Sequence, residues 1–121
     1  MDTSILLIYT GGTIGMKIDP QTQALAPFDF SHIMEEVPEL KKFGYKLDSY
    51  SFDPVIDSSD ADIPLWQELV RIIEINYNKY DGFVVLHGTD TMSYTASALS
   101  FMLENLGKPV IFTGSQLPIG M

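Results

Sequence analysis

Ile5-Leu6-Leu7-Ile8-Tyr9 is a continuous apolar run bounded by Gly11-Gly12, the pattern of a strand covered on both faces of a parallel sheet. A long polar loop with Pro20 and Pro27 is expected over 16–30. Ser31 is placed to cap a short helix carrying Glu35 and Glu36 that ends before Pro38, because a hydroxyl at that position accepts from the first free N–H groups. Leu47, Tyr50 and Phe52 mark a second strand within 45–55. Ile63-Pro64 opens a helix in which Leu65, Leu69, Ile72, Ile73 and Tyr77 fall on one face, with proline where its missing N–H does no harm. Phe83-Val84-Val85-Leu86 is a third strand. A helix follows over 91–106, with Ala96, Leu99, Met102, Leu103 and Leu106 as its apolar stripe, Gly107 as its cap and Pro109 as its stop. Val110-Ile111-Phe112 closes the series as a fourth strand.

Strands alternating with helices predict an α/β fold: an open, doubly wound, mostly parallel sheet flanked by helices. In such a sheet, ligands sit in the crevice beyond the carboxyl ends of the strands. Three segments fall there: Thr10 to Gly15, His87 to Thr91, and Thr113 to Gln116, all rich in glycine and hydroxyl residues. Glycines let backbone N–H groups approach a ligand or a developing negative charge closely.

Composition narrows the partners. The 121 residues are 45% hydrophobic and 19% charged, with no cysteine and a formal net charge of −9. This describes one globular domain with a single core. Disulfide scaffolds and cysteine-ligated metal sites are excluded. The acidic balance and the scattered Lys and Arg argue against nucleic acid and anionic membranes, which need a basic patch. No signal peptide or membrane span is read near the N-terminus, so the expected location is cytoplasmic.

The glycine turn at Gly11-Gly12 and Gly15 is by itself an ordinary strand-to-loop turn. As a phosphate loop it lacks the Gly-Lys-Ser/Thr ending and a following helix, which disfavours nucleotide binding. A threonine in such a turn suits a hydroxyl nucleophile, provided that a neighbouring base removes its proton. Thr89 and Asp90 each read as helix caps when taken alone. His87, just after a strand, reads as a hydrogen-bonded structural histidine rather than a base. Two threonine-bearing loops at one sheet edge carry more weight together.

Tyr9-Thr10-Gly11-Gly12-Thr13-Ile14-Gly15 resembles the first active-site signature of the bacterial-type L-asparaginase/glutaminase family, and Gly82 to Met92, containing His87-Gly88-Thr89-Asp90-Thr91, resembles the second. The likeness continues through Tyr94 to Leu103 and Phe112 to Gln116, and is strongest to the cytoplasmic type I branch. It implies hydrolysis of L-asparagine to L-aspartate and ammonia without metal or organic cofactor, and leaves the preference for L-asparagine over L-glutamine open. By motif, Thr13 would be the nucleophile that forms an acyl-enzyme, and Thr89 and Asp90 would belong to a polar relay. Gly12, Ser59, Asp60, Thr89 and Asp90 would bind substrate: Ser59 the α-carboxylate, Asp60 and Asp90 the α-amino group. Hydroxyl and N–H donors suit a carboxylate, and acidic side chains suit an ammonium. Backbone N–H groups around Gly12-Thr13 and Thr89-Asp90 are the expected oxyanion donors.

Two departures from the family pattern stand out. Relatives carry a tyrosine in the loop that closes over the site, whereas 16–30 holds none and Leu25 lies near its place. The relay of the family ends in a lysine past the last strand, and the only lysine after Thr91 is Lys108. Residues 1–121 are therefore read as an N-terminal catalytic portion lacking the C-terminal domain, with little activity alone and with a homodimer or homotetramer expected for the complete protein. The remaining readings are a non-catalytic amino-acid-binding module and a mononucleotide-binding domain.

Overall fold

The computed structural model describes residues 3–11, 16–18, 20–27, 44–52, 62–103 and 107–114. The first apolar run forms β1 (Ser4–Tyr9), buried from Leu6 onwards. Next come β2 (Met16–Ile18), β3 (Leu25–Pro27), β4 (Lys46–Ser51), α1 (Ile63–Asn76), β5 (Gly82–Leu86), α2 (Met92–Met102) and β6 (Val110–Thr113). Strands β4, β1, β5 and β6 make a four-stranded sheet in that spatial order, and every pairing in it is parallel. The expected α/β class, with a parallel sheet flanked by helices, is borne out.

Register explains the core. Leu6 and Ile8 of β1 stand opposite Phe83 and Val85 of β5, which in turn stand opposite Val110 and Phe112 of β6. Because strand side chains alternate, these residues share one face. Leu65, Leu69, Ile72 and Ile73 from α1 and Leu99 from α2 complete the same cluster. Both helices therefore pack on that face. The spacing of the four α1 residues matches the predicted stripe, and Pro64 sits in the first turn as expected.

Two local expectations are corrected. Within 16–30, β2 and β3 pair antiparallel, with Met16 opposite Pro27 and Ile18 opposite Leu25. The turn between them is held by side chains: Gln23 Nε2 donates to the Pro20 carbonyl at 3.0 Å, and the Ala24 N–H donates to Thr22 Oγ1 at 3.3 Å. Strands of three residues carry too little periodicity to stand out from a polar segment. The second correction is the end of α2, which stops at Met102, with Leu103 already extended at φ −94°, ψ 120°. Thr95 and Leu99 are its buried residues, while Met102 is exposed. Leu106 and the helix read from Ser31 lie outside the described residues.

Leu69 is fully buried in the cluster between α1 and the sheet. Truncation of a buried leucine removes transfer energy and leaves a cavity. Leu69→Ala is expected to lower unfolding stability by about 3 kcal/mol with an unchanged denaturant slope, read from urea melts.

Candidate active site

The strand order fixes where the site forms. From β1 the chain reaches β4 on one side, whereas β5 lies on the other side of β1 and leads on to β6. The connections leaving β1 and β5 thus diverge, which opens a crevice at their carboxyl ends. Tyr9, Ser51, Leu86 and Thr113 share one level of the ladder. The loops beginning at Thr10, Phe52, His87 and Gly114 therefore leave from one edge. Backbone bonds extend the ladder into them: the Thr10 N–H donates to the Leu86 carbonyl at 3.0 Å, Phe52 to Tyr9 at 2.9 Å, and His87 to Thr113 at 3.0 Å.

Thr10 is buried and also donates its hydroxyl to the Leu86 carbonyl at 3.1 Å, so it belongs to the sheet rather than to the reacting groups. Gly11 follows, buried, at φ +153°, a conformation that side chains disfavour. Thr13, Gly12, Ser59 and Asp60, expected as nucleophile and substrate ligands, lie outside the described residues.

Thr89 and Asp90 are placed at the crevice edge, both exposed, between β5 and α2. Neither is the cap of α2. Thr91 holds the N-cap position, without a side-chain capping bond. The β6 loop closes on this segment from the other side. A Cβ added to Gly114 would stand 2.5 Å from the His87 carbonyl oxygen and 3.1 Å from Thr89 Cγ2. Only glycine fits that approach without displacing backbone.

Behind the exposed pair, His87 is 1% exposed. Its Nδ1 lies 2.7 Å from the Gly88 carbonyl oxygen, and its Nε2 lies 2.9 Å from Thr95 Oγ1. Trp66 Nε1 lies 2.9 Å from the same Thr95 oxygen. A carbonyl can only accept and an indole N–H can only donate. The Gly88 carbonyl therefore puts a proton on Nδ1, and burial, which disfavours a charged ring, leaves Nε2 as the acceptor at neutral pH, so that Thr95 donates to Nε2 while accepting from Trp66. Burial holds the His87 pKa below its ordinary 6.5, against a smaller opposing effect of the Gly88 carbonyl. His87 is structural, as its position after a strand suggested. Thr95 and Trp66 were not anticipated; the available signal was a hydroxyl four residues before Leu99 on the buried face of a helix.

Among the described residues no cluster of His, Cys, Asp or Glu could hold a metal ion, and no helix is long and apolar enough to cross a membrane. Lys108 lies just before β6, at the opposite edge of the sheet from Thr89. Its ammonium donates to the Tyr77 carbonyl and sits 4.7 Å from the centre of the Tyr77 ring.

Residues 4–121 match the sequence family described as Asparaginase, N-terminal. The chain belongs to that family. It is 48% identical over 124 residues to L-asparaginase 1 of Escherichia coli (strain K12), an alignment covering 96% of this chain and 35% of that protein. Its fold is similar to that of L-asparaginase I from Vibrio cholerae O1 biovar eltor, with a TM-score of 0.85, 49% identity, and coverage of 98% of this chain and 36% of the other. A probable cytoplasmic L-asparaginase from Campylobacter jejuni superimposes with a TM-score of 0.78 at 29% identity, covering 98% and 36% of the two chains. The chain thus spans about a third of the length of these relatives. The likeness extends to the type I branch that the motifs resemble.

The neutral ring yields a pH dependence. Unfolding returns His87 to a pKa of about 6.5, above its folded value, so the unfolded chain binds the extra proton first as pH falls. The stabilisation is complete above about pH 6.5 and declines below it towards the folded pKa. Melting temperature should fall over that interval, and His87→Gln should flatten this component of the curve. Gly114→Ala, which forces backbone movement, is expected to lower stability by about 1–3 kcal/mol in thermal or urea melts.

Proposed function

We propose that this chain is the nucleophile-bearing part of an L-asparaginase, which converts L-asparagine to L-aspartate and ammonia. The observation that carries the proposal is the exposed Thr89-Asp90 pair at the divergence of β1 and β5, level with the Gly-rich loop that begins at Thr10, in a member of the asparaginase family.

In this reading Thr13 Oγ attacks the side-chain amide carbon as its proton passes to the Thr89-Asp90 relay. Backbone N–H groups near Gly12-Thr13 and Thr89-Asp90 stabilise the oxyanion, where each such donor contributes on the order of 10²-fold in rate. The C–N bond then breaks, and nitrogen leaves as ammonia with the relayed proton. Water, deprotonated through the same relay, attacks the acyl-threonine, and the C–O bond to Thr13 breaks to release aspartate. Ser59 holds the α-carboxylate, while Asp60 and Asp90 hold the α-ammonium. These pairings place donors on the anion and carboxylates on the cation. No metal or organic cofactor is required by these steps. A cytoplasmic location, as named for the Campylobacter jejuni neighbour, and a homodimeric or homotetrameric assembly, as the motif resemblance implies, belong to this proposal.

Lys108 is committed to Tyr77 at the far edge of the sheet, so it does not supply the lysine on which the family's relay ends. Lys108 therefore does not complete the proposed relay. The same observation favours one second reading, an amino-acid-binding module that keeps the pocket without the chemistry.

Ammonia release from L-asparagine separates the two readings. A protein of the relatives' length carrying this chain should hydrolyse asparagine and lose at least ~10³-fold in kcat on Thr13→Ala, the scale expected when a nucleophile is removed. Turnover indifferent to Thr13→Ala would sink the proposed mechanism. Calorimetric binding of aspartate with no turnover at that length would instead establish the binding module.

A further inference from the structure

The hydrogen-bond chain behind the Thr89-Asp90 pair ends on a backbone group, and that ending gives it a specific effect. Trp66 Nε1 donates to Thr95 Oγ1 at 2.9 Å, Thr95 donates to His87 Nε2 at 2.9 Å, and His87 Nδ1 donates to the Gly88 carbonyl at 2.7 Å. Thr95 and His87 are buried, and no buried side-chain polar atom among the described residues lacks a partner. We propose that Thr95 and His87 are positioning residues that set the orientation of the Gly88–Thr89 peptide, and through it the direction of the Thr89 N–H at the candidate active site. The catalytic part of this inference rests on the asparaginase reading.

The argument is geometric. A trans peptide unit is planar, with its C=O and N–H pointing in opposite directions. Directing the Gly88 oxygen at the His87 ring therefore directs the Thr89 N–H away from that ring. His87 cannot drift, because its own N–H is tied to the Thr113 carbonyl at 3.0 Å and its carbonyl lies beneath Gly114. Its ring packs edge to face against Phe112, with centroids 6.4 Å apart. The imidazole can hold the Gly88 carbonyl only while Nδ1 carries the proton, and Thr95 selects that tautomer by donating to Nε2. An oxyanion donor is effective only when already aimed at the developing charge, so control of this peptide plane is control of the rate. Trp66 lies one step further out: it fixes the Thr95 hydroxyl rotor, and without it Thr95 still donates to His87.

The test combines ring spectroscopy with graded variants. Nitrogen-15 NMR of the 121-residue chain should show His87 at neutral pH as the Nδ1-protonated tautomer. Thr95→Val should mix the tautomers and shift the Thr89 amide resonance, Thr95→Ser should restore both, and Trp66→Phe should leave both in place while costing stability. In asparagine turnover at the relatives' length, Thr95→Val should lower kcat about 10-fold, below the 10²-fold scale of deleting a donor. KM should stay within about twofold, the mark of an interaction made in the transition state, and Thr95→Ser should recover the rate. An Nε2-protonated or charged ring in the unsubstituted chain would overturn the inference even if Thr95→Val fails to fold. An unmoved Thr89 amide in a folded Thr95→Val would overturn it too, as would a Trp66→Phe that shifts the tautomer as far as Thr95→Val does. A parent protein without turnover would refute the asparaginase reading alone, because the ring tautomer and the Thr89 amide are read without substrate.

Discussion

The site depends on the alignment of four parallel strands at one level of the sheet. Tyr9, Ser51, Leu86 and Thr113 are in register, and the ladder continues through the Thr10, Phe52 and His87 N–H groups. Each of these buried donors would lose on the order of 1–3 kcal/mol if left unpaired. A slip of one residue would also turn the core face of a strand to the wrong side. Sheet pairing and apolar burial therefore enforce the same register, and the loops after β1, β4, β5 and β6 inherit their common edge from it.

The two edges of the sheet are built differently. Towards the amino ends, side chains clasp the backbone. Asp81 accepts from the Ser4 N–H at 2.8 Å, the Tyr77 hydroxyl accepts from the Gly107 N–H at 2.7 Å, and Lys108 donates to the Tyr77 carbonyl. Tyr80 adds a 2.7 Å bond to Asp48 of β4, and burial together with that bond pushes its pKa up to about 12, so it stays a neutral donor. At the carboxyl edge, polar side chains are instead split by depth: Thr10, His87 and Thr95 are buried and hold the scaffold, while Thr89 and Asp90 remain exposed. A fold that spends its polar contacts on rigidity at one edge can present reactive groups at the other.

How much of this could be read from the residues depends on the length of each signal. The run Ile5 to Tyr9 and the α1 stripe of Leu65, Leu69, Ile72 and Ile73 each repeat a periodicity long enough to identify the element. The hairpin of β2 and β3 does not, because three residues hold barely one period and its stability comes from pairing and turn bonds. The end of α2 was misplaced for a related reason: Met102 continues the apolar spacing, yet it is exposed and the backbone leaves the helix after it. Thr89 and Asp90 are legible as candidates because they sit in a contiguous motif, and both lie exposed at the carboxyl edge. Thr95 and Trp66 were not, because their partnership joins residues 29 positions apart and exists only once α1 and α2 pack together.

The state of His87 constrains where a proton can travel in the proposed reaction. A general base must offer a lone pair to the group that it deprotonates, within hydrogen-bond reach. On this ring, Nδ1 carries a proton committed to Gly88, and the Nε2 lone pair is committed to Thr95. Taking a further proton would also charge a ring that burial keeps neutral. In the proposed reaction the proton of the threonine nucleophile therefore passes not to His87 but to the hydroxyl and carboxylate groups of Thr89 and Asp90. An alcohol holds its proton tightly and needs a neighbouring base to remove it. The motif resemblance implies a lysine at the end of such a relay, and Lys108 is held at the opposite edge. Neither the neutral histidine nor Lys108 therefore serves as the terminal base of the proposed relay.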